Sequence, residues 1–78
     1  MVESQPARAW DEEFDGGDLG CGYLLVDLKL FFDPLPSGRL VRLRWLSEAA
    51  PVEIPSWCWL TGHALLKAAH PYYLIRRK

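Results

Sequence analysis

The fold of this chain is organised around residues 15–32, which read DGGDLGCGYLLVDLKLFF. A glycine-rich turn leads to one cysteine, and an apolar segment starts directly after it. The apolar residues of this segment recur at i, i+1, i+4, i+7 and i+8, which is one face of an α-helix: Leu24, Leu25, Leu28, Phe31 and Phe32. The pattern predicts a helix that begins at or just after Cys21. It should end near Asp33, because Pro34 disfavours helix at the residue before it.

The predicted start of this helix makes Cys21 a candidate reactive cysteine. Unpaired backbone N–H groups and the positive end of the helix dipole collect at a helix N-terminus, and both stabilise a thiolate. The dipole effect is worth about 0.3–1 kcal/mol. Asp18, three residues away, acts in the opposite direction because a carboxylate disfavours a second negative charge. Position alone therefore leaves two interpretations open, a nucleophile or a small apolar residue that closes a turn.

The length and composition predict one small domain with a single core. Residues 1–8 are expected to form a flexible N-terminal tail and residues 9–78 the folded unit. No stretch reaches the ~18 apolar residues of a membrane span, and the N-terminus lacks the basic and apolar regions of a signal peptide. Two cysteines without a secretion signal favour a reducing, cytoplasmic location. Cys21, Cys58 and the two histidines lack the spacing of zinc ligands, so no metal site is expected.

Alternating apolar residues and turn signals predict four strands. Residues 9–14 read as a short strand with Trp10 and Phe14 on one face. Residues 39–46 form the clearest strand, with one buried and one solvated face. Residues 63–68 and 72–77 are the third and fourth strands, separated by a turn at residues 69–71.

A second helix is predicted between the second and third strands. Ser47 is a plausible N-cap, Gly62 ends the helix, and Pro55 should cause a kink or a restart. The resulting order is β-α-β-α-β-β. It predicts an α+β fold, a two-layer α/β sandwich in which both helices lie on one face of a four-stranded mixed sheet.

Acidic and basic residues are distributed unevenly along the chain. Residues 1–33 carry eight acids and two bases, whereas residues 34–78 carry two acids and seven bases. A basic surface for RNA or an acidic partner, based on Arg39, Arg42 and Arg44, is one interpretation. The other is that the two halves neutralise each other across the sheet, with Asp11 and Glu13 near Arg42 and Arg44. Arginines without interleaved aromatic residues give only salt-sensitive, unspecific contacts, which argues against direct nucleic-acid binding.

Motifs along most of the chain resemble the TusA/SirA family of sulfur-carrier proteins. Phe14-Asp15 followed by Leu19-x-Cys21 is similar to the family's opening, where a strand ends in Leu-Asp and a glycine-containing loop leads into Cys-Pro-x-Pro. Glu53-Ile54-Pro55-Ser56-Trp57-Cys58, followed by Thr61-Gly62-His63, resembles its second-helix signature. The ending at residues 72–77 resembles its closing strand. The resemblance covers about residues 10–78 and implies the same β-α-β-α-β-β fold.

The resemblance implies a function for Cys21 as the carrier of a persulfide. Sulfur would come from a donor protein, a cysteine desulfurase or a rhodanese-like protein. It would pass to an acceptor protein, for example toward tRNA thiolation or another route of sulfur metabolism. No cofactor is implied, because the persulfide itself is the transferred species.

Departures from the family pattern leave a second interpretation open. The prolines of Cys-Pro-x-Pro are replaced by Gly22 and Leu24. The chain could therefore be a degenerate relative that acts only as a protein-binding or regulatory module. Cys58, which lies between two tryptophans, is expected to be a buried structural thiol. Trp59 and Leu60 would form an apolar patch if their helix face is exposed.

Overall fold

The computed structural model of this chain describes residues 9–78, so the expected tail at residues 1–8 lies outside the described residues. The elements are β1 (Glu12–Gly17), α1 (Cys21–Phe32), β2 (Leu40–Trp45), α2 (Ala50–Thr61), β3 (Ala64–Ala69) and β4 (Tyr72–Arg76). The sheet order is β1-β2-β4-β3, with β1 parallel to β2 and the other two pairings antiparallel. This is the predicted α+β sandwich, a four-stranded mixed sheet with two helices on one face.

The core lies between α1 and the central strands, as the periodicity predicted. The side chains of Leu24, Leu28 and Phe32 on α1 are fully buried. They share one cluster with the alternating residues of β2, which are Val41, Leu43 and Trp45. The other members of this cluster come from α2 and β4: Ala50, Ile54, Trp57, Cys58, Tyr73 and Ile75. Burying each large apolar side chain contributes about 1.5–3 kcal/mol, so this layer contact sets how the helices sit on the sheet.

The first strand differs from the prediction in both its bounds and its facing. It spans Glu12–Gly17 rather than residues 9–14, because Gly16 and Gly17 continue the pairing with β2. Trp10 precedes the strand, so the alternation does not extend to it. Its ring lies over the Arg42 guanidinium, with 4.2 Å from Arg42 Cζ to the ring centroid. Trp10 therefore lies on the open face of the sheet and not beside Phe14.

The second helix differs from the prediction at its start, and of the two outcomes expected at Pro55, a kink or a restart, the restart does not occur. Its N-cap is Ala49, and the Ser47 hydroxyl instead accepts the Ala49 N–H at 3.1 Å in the preceding turn. The helix continues through Pro55 without a restart. The missing N–H of Pro55 leaves only the Pro51 carbonyl without its helical donor. Both prolines are exposed, so water can satisfy that carbonyl at the helix surface. Gly62 ends the helix in the left-handed conformation, as predicted.

Cross-strand ion pairs account for part of the charge asymmetry. Arg42 pairs with Glu13, as expected, and Arg44 pairs with Asp15 at 2.8 Å. The Asp11 carboxylate forms no ion pair with residues 9–78, and it accepts the Leu40 N–H at 2.9 Å. The Arg44 hydrogen bond, followed by the Gly17 N–H, lowers the pKa of Asp15.

Candidate functional site

Cys21 is the first residue of α1 and is partly exposed. Its N-cap, Gly20, provides only a carbonyl, which accepts the Leu24 N–H at 2.9 Å. No side chain of the described residues caps this end, and the first turn holds no acidic residue. The N–H groups of the first three helical residues have no partner within the helix, which is the general condition of a helix N-terminus. Within the first turn of α1, the field at Cys21 therefore comes from backbone donors and the positive end of the helix dipole.

The loop that delivers Cys21 is fastened to the sheet by hydrogen bonds. The indole Nε1 of fully buried Trp45 donates to the Leu19 carbonyl at 2.9 Å. The Leu19 N–H donates to the Gly16 carbonyl at 3.0 Å, and the Leu46 N–H donates to the Gly17 carbonyl at 2.8 Å. These bonds hold the residues on either side of Asp18. They give the turn a fixed path although Gly22 stands where a proline would stiffen the helix start.

Gly16 permits the close approach of β1 to α1. The strand pairing shifts between Asp15 and Gly17, so Gly16 is the extra residue of a β-bulge. A Cβ at this position would overlap Cδ1 of Leu24 and lie 3.3 Å from the Arg44 carbonyl oxygen. Only a glycine fits between the sheet and the first turn of α1, the turn that begins with Cys21.

An apolar stripe runs along the outer side of α1 from its first turn. Tyr23, Val26 and Leu30 lie at i, i+3 and i+7, and their side chains are 76%, 58% and 64% exposed. The inner side of the same helix packs on the core, and Cys21 contacts that core cluster. Cys21 is therefore located where the buried face and an exposed apolar stripe both begin.

Cys58 has the opposite environment. It is 3% exposed within α2, and burial raises the pKa of its thiol to about 11. A thiol in this state is almost entirely protonated at neutral pH. The expected structural role of Cys58 agrees with this burial.

The expected apolar patch on α2 is present. Trp59 is 83% exposed and Leu60 is 77% exposed, and neither is covered by any residue in the range 9–78. With Pro55 and Ser56 they line a shallow surface depression. An exposed tryptophan of this kind is typical of a protein-interaction surface.

Both histidines have structural contacts. The His63 ring packs on Phe32 and Trp57, with centroid distances of 4.7 and 5.3 Å, and its Nδ1 accepts the Lys78 N–H. Burial, and then the positive charges of Arg77 and Lys78, lower the pKa of His63. His70 Nδ1 lies 2.6 Å from the Tyr73 hydroxyl oxygen. Within residues 9–78, no group of three or more His, Cys, Asp or Glu side chains could hold a metal ion.

Two residues that support the site were not recognised in the sequence. Trp45 reads as a core residue of β2, and its bond to Leu19 spans 26 positions. Gly16 reads as part of a turn, and its contact with Leu24 depends on how the helix lies on the sheet. The only sequence signal for either is the density of glycines before Cys21.

Comparisons with known proteins give no independent assignment. No protein-family model matches the chain, and no curated protein matches it. No helix in the described part of the chain is both long and apolar enough to cross a bilayer. The geometry around Cys21 and the motif resemblance are therefore the grounds on which a function can be proposed.

Proposed function

We propose that this protein is a sulfur carrier, a sulfurtransferase that relays persulfide sulfur on Cys21 from a donor protein to an acceptor protein. The observation that supports it is the position of Cys21, partly exposed at the first residue of α1 after a loop tied down by Trp45. A carrier thiol must ionise, and it must be reached by two partners in turn. Cys58, with its buried thiol, meets neither requirement.

The proposed transfer is an exchange of one sulfur atom between thiols. The Cys21 thiolate attacks the terminal sulfur of a persulfide on the donor. An S–S bond forms to Cys21 Sγ while the donor's S–S bond breaks, and the electron pair leaves on the donor cysteine as a thiolate. A thiolate of the acceptor then attacks the same terminal sulfur and regenerates Cys21. The exchange needs no external oxidant or reductant.

Partner proteins have a surface on which to dock beside Cys21. The exposed stripe of Tyr23, Val26 and Leu30 begins two residues after it. Aromatic and large aliphatic side chains are typical of the cores of interfaces. The donor we propose is a cysteine desulfurase or a rhodanese-like protein, and tRNA thiolation is one destination for the sulfur. A reducing, cytoplasmic location belongs to this proposal, because both thiols must stay free.

A second candidate function is a protein-binding or regulatory module without sulfur transfer. The exposure of Trp59 and Leu60 favours it, since these side chains offer an interaction surface that does not involve Cys21. The loss of both prolines after Cys21 also favours it. The two functions differ in one measurable property, the loading of sulfur on Cys21.

Intact-mass spectrometry tests the proposal. The protein is incubated with cysteine and a cysteine desulfurase, and separately with thiosulfate and a rhodanese. The wild type and Cys58→Ala should gain the mass of about one sulfur atom, whereas Cys21→Ala should gain none. Fragmentation of the wild type should assign the added sulfur to Cys21, which keeps the test valid if Cys58→Ala folds poorly. Gly22→Pro should still load: the proline disfavours helical backbone at Cys21 and moves the helix start to residue 22, where it removes an N–H that the helix does not use.

Alkylation at neutral pH independently tests which of the two cysteines is more reactive. About one Cys58 thiol in ten thousand is ionised at pH 7, given its pKa of about 11. Cys21 should therefore be labelled first. If no donor loads Cys21, or if Cys58 reacts first, the carrier proposal fails and the protein-binding module becomes the better account.

A further inference from the structure

We propose that the open face of the sheet binds single-stranded nucleic acid, with one base held in a groove beside Trp10 and Tyr72. The groove has a volume of about 300 Å³. The residues that line it include Trp10, Arg42, Lys67, Ala69, Tyr72 and Leu74. None of them supports Cys21, so this inference does not depend on the sulfur-carrier proposal.

The strand register arranges the open face in rows that cross the sheet from β1 to β3. One row is Glu13, Arg42, Leu74 and Lys67. The neighbouring row is Asp15, Arg44, Tyr72 and Ala69. In each row the acid and the arginine pair with each other on β1 and β2. In these two rows the β4 and β3 positions are therefore apolar or aromatic apart from Lys67 at the edge.

Lys67 carries a positive charge that no described residue compensates. It forms no ion pair with the residues in the range 9–78. Glu13, the acid in its row, is three strands away, which is about 14 Å at the usual strand spacing. That distance exceeds the Debye length of about 8 Å at physiological ionic strength. A phosphate at this edge would meet a lysine whose charge no carboxylate of residues 9–78 neutralises.

Two aromatic rings lie beside the groove, and the Arg42 guanidinium contacts both of them. Its Cζ lies 4.2 Å from the Trp10 ring centroid and 4.4 Å from the Tyr72 ring centroid. These cation–π contacts hold the two rings at the groove, which Ala69 and Leu74 also line, and an aromatic ring at this place can stack on a planar base. Arg42 lies 32 positions after Trp10 and 30 positions before Tyr72 in the sequence. The interleaving of aromatic and basic residues that the sequence lacks is therefore present on the folded surface.

A single strand suits this face better than a duplex or a free nucleotide. A groove of about 300 Å³ is large enough for one base, and the bases of a duplex are stacked and paired and cannot enter it. Arg76 lies two residues beyond Leu74 on the same side of β4, about 7 Å along the strand. Successive phosphates of a strand can contact Lys67 and Arg76 while a base occupies the groove, which gives a strand more contacts than a single nucleotide has.

Fluorescence anisotropy with labelled oligonucleotides of about ten nucleotides tests the proposal, since single-strand sites span about 4–16 nucleotides. RNA and DNA of mixed sequence are titrated from about 50 to 200 mM salt. Lys67→Gln should weaken binding and reduce the slope of log K against log salt by about 0.7, while Lys67→Arg should not. Lys29→Gln, a surface lysine on α1 paired with Asp33, is the matched control and should leave binding unchanged.

The aromatic contribution is tested at Tyr72, which is 37% exposed and can be replaced without opening the core. Tyr72→Leu should weaken binding at least about fivefold, because stacking on one base is worth that much or more. Tyr72→Phe keeps the ring and should bind like the wild type.

Five results would overturn the proposal. The first is no binding at about 50 mM salt. The second is an equal loss of oligonucleotide affinity in Lys67→Gln and Lys29→Gln. The third is equal binding of a duplex of the same sequence. Competition by a nucleoside monophosphate at the same concentration as the oligonucleotide would assign the groove to free nucleotides instead. If polyglutamate competed as well as unlabelled oligonucleotide, the open face would be a surface for acidic chains in general and not for nucleic acid.

Discussion

Gly16→Ala is the substitution that most directly tests how the loop before Cys21 is held. Gly16 has no left-handed backbone conformation, so an added methyl group acts through space and not through strain in φ. The new Cβ would overlap Cδ1 of Leu24 and lie 3.3 Å from the Arg44 carbonyl oxygen and 3.5 Å from Trp45 Cδ1. Leu24 and Trp45 are fully buried, so neither can move aside without disturbing the core.

Overpacking of this kind costs about 1–3 kcal/mol. A domain of this size has a total stability of about 4–12 kcal/mol, so the loss is a large share. It corresponds to a fall in the thermal midpoint of about 4–8 °C for each kcal/mol. Gly22→Ala is the matched control, because a Cβ there meets nothing within 4 Å. That variant should be neutral or more stable by up to about 1 kcal/mol, since alanine favours helix over glycine.

A double-mutant cycle with Leu24→Ala separates steric overlap from other causes. Leu24→Ala alone should cost about 2–5 kcal/mol, because it empties a fully buried site. In the Gly16→Ala background the same truncation should cost less, since it removes the overlapping Cδ1. Thermal and denaturant unfolding give the four free energies. If the two losses simply add, or if Gly16→Ala melts like the wild type, the close approach of β1 to α1 is not what fixes the loop.

Two further predictions concern the core and the pH dependence of stability. Leu28→Ala should lower the free energy of unfolding by about 2–5 kcal/mol in denaturant titrations. Leu30→Ala, on the exposed side of α1, is the control and should change it by less than about 0.5 kcal/mol. A loss below about 1 kcal/mol for Leu28→Ala would contradict the assigned core face. Folding lowers the pKa of His63, so wild-type stability should be full above the unfolded-state pKa of about 6.5 and fall as the pH drops toward the folded value. In thermal melts between about pH 7.5 and 5, the stability of His63→Gln should fall less with decreasing pH than that of the wild type. If the two proteins showed the same pH dependence, His63 would not be the group responsible.

The parts of the fold that follow local periodicity were predictable from the sequence. Leu24, Leu28 and Phe32 repeat with the helical period and are all buried. The residues of β2 alternate, and burial alternates with them. In both cases one face of the element is buried, and the spacing of apolar residues along the sequence identifies that face.

The parts that depend on contacts between distant residues were not predictable in this way. Gly16 and Gly17 look like part of a turn, but pairing with β2 and the fit against Leu24 extend β1 through them. Trp10 looks like a core residue, but Arg42 attracts it to the open face. Pro55 looks like a helix breaker, but it lies on the exposed side of α2, where water can bond the one carbonyl that loses its helical donor.

The candidate carrier residue was predictable, whereas its support was not. Cys21 begins α1 because the apolar period starts directly after the glycines. The indole bond from Trp45 to Leu19 exists only because the β1–β2 register brings Gly17 opposite Trp45. The register between two strands is set by the packing of the whole sheet layer, so it cannot be predicted from a local sequence pattern.

The two proposed activities lie on opposite layers of the protein, and this separation can itself be tested. Cys21 contacts the core cluster on the helical side, whereas Lys67 and Tyr72 line the groove on the open side of the sheet. Substitutions at either site leave the buried contacts of the other intact. Cys21→Ala should therefore bind the oligonucleotide like the wild type, and Lys67→Gln should load sulfur like the wild type. If Lys67→Gln abolished loading, Lys67 would have to contact the sulfur donor, and the open face would belong to the protein interface and not to nucleic acid.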